Sequence, residues 1–323
     1  MLIAHRGASG YRPEHTEAAY RLAFAQGADA VEPDLVASAD GVLVLRHERE
    51  LSGSTDVATR AEFAGRFRSG EIDGQPVDGW FVEDFSWAEL ETLRAREPNP
   101  LLRPGSASYD GQFALVRFRD LLGMLAEPTA RSAAGQATRL VAELKDANYF
   151  DSIGLNLAEL TRADLVAAGW EPDDPRLVFE SFEPEPLDRL AGWGRRVLLV
   201  DAPPLSAQQH AESERELRLA QIRELEQLAH EFDGLSVPVE TLLIDPELPH
   251  RIGERGKLRY AYTLRPESPW VPAEYRARPA GAADSLPAER PDDWMGWFTR
   301  VLSAGFDGVF VDHPDLARGA LSN

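Results

Sequence analysis

The sequence predicts an α/β fold: a closed (β/α)8 TIM barrel with a small inserted subdomain after the third strand region. Three observations carry that expectation. Short apolar runs, such as LIA at 2–4 and GVFV at 308–311, read as buried strands and alternate with stretches of helical spacing. About eight such units follow one another, a number that closes a barrel, with a doubly wound open sheet as the alternative. The rhythm breaks once, over 51–112. A length of 323 residues suits one barrel, so 1–323 reads as a single domain with 51–112 set within it.

The elements follow in order. Leu2–Ala4 is a strand, and Thr16–Gln26 a helix with Thr16 as N-cap and Gly27 as its stop. Ala30–Val36 is the second strand, and SADG at 38–41 turns the chain back into Val42–Leu45, read as the third. Residues 51–112 are rich in Gly, Pro and polar side chains. Within them Ser86-Trp-Ala-Glu89 fits a capping box, with Leu90 and Leu93 as the apolar face of its helix. Trp80, Phe81, Phe85 and Trp87 need burial, which argues for a small folded unit rather than a linker. The alternation then resumes: helix Phe118–Ala126, strand Arg139–Leu144, helix Phe150–Ala168, strand Leu177–Phe179, helix Pro184–Leu190 and strand Val197–Val200. Ser206–Phe232 reads as a long charged helix, with Leu219, Ile222, Leu225 and Leu228 on one face. Leu258–Thr263 is a strand, Asp292–Ser303 a helix and Gly308–Val311 the last strand.

Composition narrows the function classes. The formal charge of −20 argues against nucleic acid and stable association with anionic membranes, since both need a basic footprint. No run approaches the ~18 apolar residues of a membrane span. The absence of cysteine removes disulfides, thiolate-held zinc and thiol catalysis. With a strand at Leu2 and no visible signal peptide, the chain as it stands reads as cytoplasmic; a trimmed leader would make it periplasmic or secreted.

In a barrel, chemistry gathers where strands end. His5 and Arg6 follow the first strand, Glu32 and Asp34 close the second, His47 follows the third, and Glu143 and Lys145 lie on VAELK at 141–145. Glu32 and Asp34 are two apart and so share one strand face, as do Glu143 and Lys145. Three inward carboxylates repel one another unless a hard divalent cation joins them, and oxygen ligation suits Ca²⁺ or Mg²⁺ better than Zn²⁺. Taken singly, each pair is more often a solvated strand face, and a lone strand-end histidine more often structural. Together they form one constellation. His15, His210, His230, His250 and His313 lie in helical or loop contexts and read as structural.

These residues resemble the glycerophosphodiester phosphodiesterase family. The run AHRGASGYRPEHTEAAYRLAFAQGADAVEPDLVASADGVLVLRHERELSGSTDVA at 4–58 follows the family's landmarks in order. VAELK at 141–145, FESF at 179–182, YAYTLR at 260–265 and GFDGVFVDHPD at 305–315 match later ones. PEHT, STDVA and the long 51–112 region look like the longer, bacterial periplasmic-type subgroup. Two positions depart from the pattern: Glu48 where the family often has Asp, and Gly53 where it often has Arg.

The resemblance implies a metal-dependent phosphoric diester hydrolase that converts a small-molecule glycerophosphodiester to sn-glycerol 3-phosphate and an alcohol. His5 and His47 are then general acid and base, in an order left open. Glu32, Asp34 and Glu143 hold one divalent cation, Ca²⁺ or Mg²⁺, and Arg6 and Lys145 hold the phosphate. Attack by the glycerol 2-hydroxyl, through a cyclic phosphate, is implied as well. Phe182 and Tyr262 would wall the glycerol end, with plain core packing as the alternative, and 51–112 would lie over the site near the alcohol group. The alternatives are a lipid-directed, lysophospholipase D-like enzyme on the same barrel and a non-catalytic binding barrel. A two-carboxylate glycosidase leaves the histidines and Arg6 unexplained.

Overall fold

The computed structural model describes residues 1–72, 74–200, 231–276 and 292–322. Its strands are β1 (Leu2–His5), β2 (Ala30–Glu32), β3 (Asp34–Ala37), β4 (Leu43–Leu45), β5 (Arg68–Ile72), β6 (Gln75–Gly79), β7 (Arg139–Leu144), β8 (Leu177–Ser181), β9 (Arg195–Leu199), β10 (Gly234–Pro238), β11 (Leu258–Leu264) and β12 (Gly308–Val311). β1 lies between β2 and β12, and the sheet runs on through β11, β10, β9, β8 and β7 back to β2. These pairings are parallel and close an eight-stave barrel. Pro33 has no N–H to donate and splits one stave into β2 and β3, both of which pair with β7.

The count of eight stands, but its membership differs from expectation. Val42–Leu45 is not a barrel stave: Leu43–Leu45 runs antiparallel to β3 as the outer arm of a hairpin. The eighth stave is instead Gly234–Pro238. The sequence reading assigns no element there, because GLSVP has only two apolar residues, set among Gly, Ser and Pro. Gly234 is required there because a Cβ would lie 2.5 Å from Leu258 Cβ on the neighbouring strand.

Thr16 caps helix Glu17–Ala25 by accepting from the Ala19 amide, as its position in the sequence indicates. The expected helix over 150–168 is two helices, Ala147–Ser152 and Leu157–Ala167. Gly154 at φ +82° breaks it, and Asn156 starts the second piece by accepting from the Glu159 amide. The helix expected over 206–232 falls almost wholly outside the described residues.

Between β4 and β7 lie the β5–β6 hairpin and short helices, and Ser86 and Glu89 hydrogen-bond each other at the start of Trp87–Leu90. Phe81, Phe85, Leu90 and Leu93 are fully buried, while Trp80 and Trp87 are half-buried. Phe63, Val82, Phe85, Leu90 and Leu93 join the same hydrophobic cluster as Val31 and Leu35 of the barrel. No helix among the described residues is long and apolar enough to cross a membrane.

The barrel interior explains where the site lies. Ile3, Ala30, Val141, Val178, Val197, Tyr260 and Phe310 pack together as one apolar layer inside the staves. Two residues further along the same strands, on the same face, come His5, Glu32, Glu143, Glu180, Leu199, Tyr262 and Asp312. One step of the strand period turns a dry floor into a polar mouth.

Candidate active site

His5 ends β1 with its Nδ1 2.7 Å from Asp312 Oδ1. Asp312 Oδ2 accepts from Arg265 Nε at 2.7 Å and from Arg103 Nη2, and Arg103 Nε donates to Glu267 at 2.6 Å. Nδ1 is thereby committed, and Nε2 is the remaining ring nitrogen. Burial, reinforced by Arg6, lowers the His5 pKa to about 4 against the opposing pull of Asp312.

Arg6 and Gly7 turn the chain sharply away from the barrel mouth, with φ +58° and +82°. A Cβ at Gly7 would sit 2.6 Å from the Ala19 carbonyl carbon, so the close return of the first helix demands glycine. The Arg6 amide donates to Glu32 Oε2 at 2.9 Å, and its guanidinium pairs with Glu14 at 2.9 Å and Asp34 at 3.0 Å. Burial penalises the Arg6 charge, yet these three carboxylates outweigh it and hold the pKa above its usual value.

Glu32, Asp34 and Glu143 each place one carboxylate oxygen within 4.8 Å of the others. Burial, with Asp34 beside it, pushes the Glu32 carboxyl well up, and burial pushes Glu143 up to about 8 despite Lys145 at 3.0 Å. Asp34 goes the other way: burial opposes its charge, but Arg6 and the hydrogen bond from His15 hold its pKa well below the usual range. Glu32 Oε1 and Asp34 Oδ1 are buried without a hydrogen-bond partner among the described residues. Three crowded carboxyls with orphaned oxygens match the donor set of a hard divalent cation, so the residues present fit one.

His47 follows the hairpin arm β4 rather than a stave, and two buried arginines fix its loop. Arg46, fully buried, donates to the backbone oxygens of Leu45, Glu14 and Ser54 at 2.6, 2.8 and 3.2 Å. Arg49 pairs with Glu83 at 2.7 Å and Asp146 at 2.9 Å. His47 Nδ1 lies 2.7 Å from Glu48, and Nε2 lies 3.4 Å from Lys145 Nζ. Desolvation, then Arg6 and Lys145, lowers its pKa although the side chain is 31% exposed.

His5, Arg6, Glu32, His47, Glu143, Lys145, Phe182 and Tyr262 all line one cleft of ≈ 390 Å³. Asp34 lies beneath it, tied to His15 Nε2 at 2.9 Å. Phe182 is 42% exposed, and Tyr262 donates its hydroxyl to Val200 O at 2.8 Å; their rings meet edge to face at 6.1 Å. A second lobe of ≈ 250 Å³ opens beyond His5, Arg6 and His47, lined by Gly53, Ser54, Pro98, Asn99 and Arg103 of the 51–112 region.

Of the histidines set aside, His15 is buried between Tyr20 and Asp34, where it steadies a candidate ligand. His313 packs on Tyr11 at 4.7 Å, and His250 is exposed beside Glu254. His210 and His230 lie outside the described residues. Sequence reasoning missed Glu14, Arg103, Glu180, Arg265 and Asp312. The period of two marks Glu180 and Asp312, each two residues past an inward apolar side chain. No local pattern marks Arg103 or Arg265.

A model of the glycerophosphoryl diester phosphodiesterase family matches residues 5–316. The chain belongs to this family. It is similar to a glycerophosphodiester phosphodiesterase of Haemophilus influenzae, 31% identical over 199 residues that make up 59% of this chain and 51% of that one. One from Arabidopsis thaliana is 39% identical over 122 residues, 38% of this chain and 32% of that one. The aligned stretches therefore span about a third to a half of these relatives.

The fold is shared with solved structures. A phosphodiesterase of Oleispira antarctica, solved with the product sn-glycerol-3-phosphate, superposes at TM-score 0.64 with 22% identity, covering 100% of this chain and 97% of the other. The glycerophosphodiester phosphodiesterase of Thermotoga maritima superposes at 0.54 with 17% identity, covering 98% and 96%.

Proposed function

We propose that this family member hydrolyses a small-molecule glycerophosphodiester to sn-glycerol 3-phosphate and an alcohol, with one divalent cation, Ca²⁺ or Mg²⁺, at Glu32, Asp34 and Glu143. The observation that carries the reading is the meeting of that carboxylate cluster with two anchored histidines and two cationic side chains in one cleft. Family membership and the product held by the Oleispira antarctica structure support it. A bound dication would polarise a phosphoryl oxygen and offset the three carboxylates.

The chain's own groups account for the rest. Both histidines have Nδ1 committed to a carboxylate, His5 to Asp312 and His47 to Glu48, which leaves Nε2 for proton transfer, that of His47 beside Lys145 Nζ at 3.4 Å. One takes the proton of the attacking oxygen, and the other delivers a proton to the departing alkoxide. Lys145 and Arg6 supply local positive charge where a −20 chain must accept an anion. Phe182 and Tyr262 flank the glycerol. The chain acts as one unit over 1–323, and the 51–112 region walls the lobe that takes the alcohol. That lobe's polar lining suits a polar alcohol better than an acyl chain.

The test is release of glycerol 3-phosphate from a panel of glycerophosphodiesters with added Mg²⁺ or Ca²⁺. Turnover of at least one substrate is expected; none with either ion would sink the reading.

A further inference from the structure

Glu180 has no task in the reaction above. It projects from β8 into the barrel mouth, in register with Glu143 on the neighbouring strand, and is 1% exposed. Its Oε1 has no hydrogen-bond partner among the described residues. It lies outside the group of three carboxylates that can share an ion. The cleft it lines also carries apolar Phe182, Leu199, Pro238 and Tyr262, with Glu240 and Thr263, both half-buried, as further polar groups. An unpartnered carboxyl in such a place costs stability, and a leucine would not incur that cost.

We propose that Glu180 hydrogen-bonds a hydroxyl of the glycerol half of the substrate, and so selects a polyol over a plain alkyl group on that side of the phosphate. The inference rests on the phosphodiesterase reading. The geometry suits a small polyol: apolar side chains bound its carbons, and the buried, unpartnered Glu180 Oε1 faces a hydroxyl. Burial and the neighbouring Glu143 and Asp34 push the Glu180 carboxyl well above its usual pKa, but the assignment does not depend on its charge. A hydroxyl both gives and takes a hydrogen bond, so either form of the carboxyl finds a partner in it.

The test is calorimetric titration of the full chain, with Mg²⁺ present, using sn-glycerol 3-phosphate and, separately, inorganic phosphate. Glu180→Leu should weaken glycerol 3-phosphate about tenfold, the scale of one buried hydrogen bond, and leave phosphate within about twofold. Glu180→Gln, whose amide also gives and takes, should stay within about threefold of the parent for both. Glu180→Ala replaces the leucine variant if leucine is not accommodated. Equal weakening of both ligands, or no weakening of glycerol 3-phosphate, overturns the assignment. So does a glutamine variant as impaired as the leucine one, since that demands a charge rather than a hydrogen bond. Turnover by the unaltered chain is measured separately and decides the phosphodiesterase reading itself.

Discussion

On one side of His5 stand Glu32, Asp34 and Glu143, crowded together with buried oxygens that nothing in the described chain satisfies. On its other side stands Asp312, equally buried, with one oxygen on His5 and the other shared by Arg103 and Arg265. The chemistry is similar, but the two clusters are completed differently. The carboxylate side is left short of positive charge and is fitted to receive a cation. The arginine side is neutralised from within, so it orients His5 and has no need of a ligand. A buried carboxylate is informative through what it lacks, because an unfinished one must be completed from outside.

The sharpest test of that contrast is the pair of histidines lying between the clusters and the substrate. His5→Ala and His47→Ala should each lower kcat ~10²–10⁴-fold, the loss expected when a general acid or base is removed. Steady-state glycerol 3-phosphate release measures it. Full activity in both variants would show that the clusters orient nothing that reacts.

A smaller effect separates the two clusters by stability. Chelation should stop turnover, and Mg²⁺ or Ca²⁺ should restore it. In the metal-free protein, Glu32→Gln removes the cost of burying a carboxyl that must take up a proton beside Asp34, and should raise the melting temperature by roughly 2 °C, about what 1 kcal/mol yields in a domain of this class. The same variant should bind the divalent ion more than about tenfold more weakly, since a carboxylate ligand is lost. A Glu32→Gln protein that is less stable without metal would mean the cluster is already satisfied internally.

The carboxylate side was legible in the sequence and the arginine side largely was not. Glu32 and Asp34 are two residues apart, so local spacing puts them on one face, and the pairing of β3 with β7 sets Glu143 opposite Asp34. His5 and Arg6 were readable for the same reason, since β1 is only four residues long. Arg103 and Arg265 reach Asp312 from loops 209 and 47 residues away in the chain, and nothing local encodes that meeting. The barrel shows the same divide. Eight staves were expected and eight are present, but Leu43–Leu45 is not among them and Gly234–Pro238, to which no strand was assigned, is. An apolar triplet behind a tight turn looks like a stave, whereas GLSVP forms one only because its neighbours cover it.

Arg103 is the place to break the comparison from its finished side. It comes from the 51–112 region, is 7% exposed, and spans Asp312 and Glu267 with one guanidinium while stacking near Trp270 at 5.0 Å. Among the described residues it hydrogen-bonds none of Glu32, Asp34, Glu143, His5 and His47; its influence on His5 passes through Asp312. Arg103→Ala should therefore lower kcat about tenfold, the low end for a residue that orients a reacting group through another, with KM changed less than about twofold. The loss should be smaller than for His5→Ala because Arg265 still holds Asp312. Breaking a buried pair also costs about 3–5 kcal/mol of stability, so the assay belongs well below the variant's melting temperature. Added guanidinium should restore part of kcat, whereas Arg103→Lys should restore little, because an ammonium cannot bridge both carboxylates as a planar fork does. If Arg103→Ala raises KM and leaves kcat intact, the residue serves the alcohol lobe instead, and the two sides of His5 are less separate than their hydrogen bonds indicate.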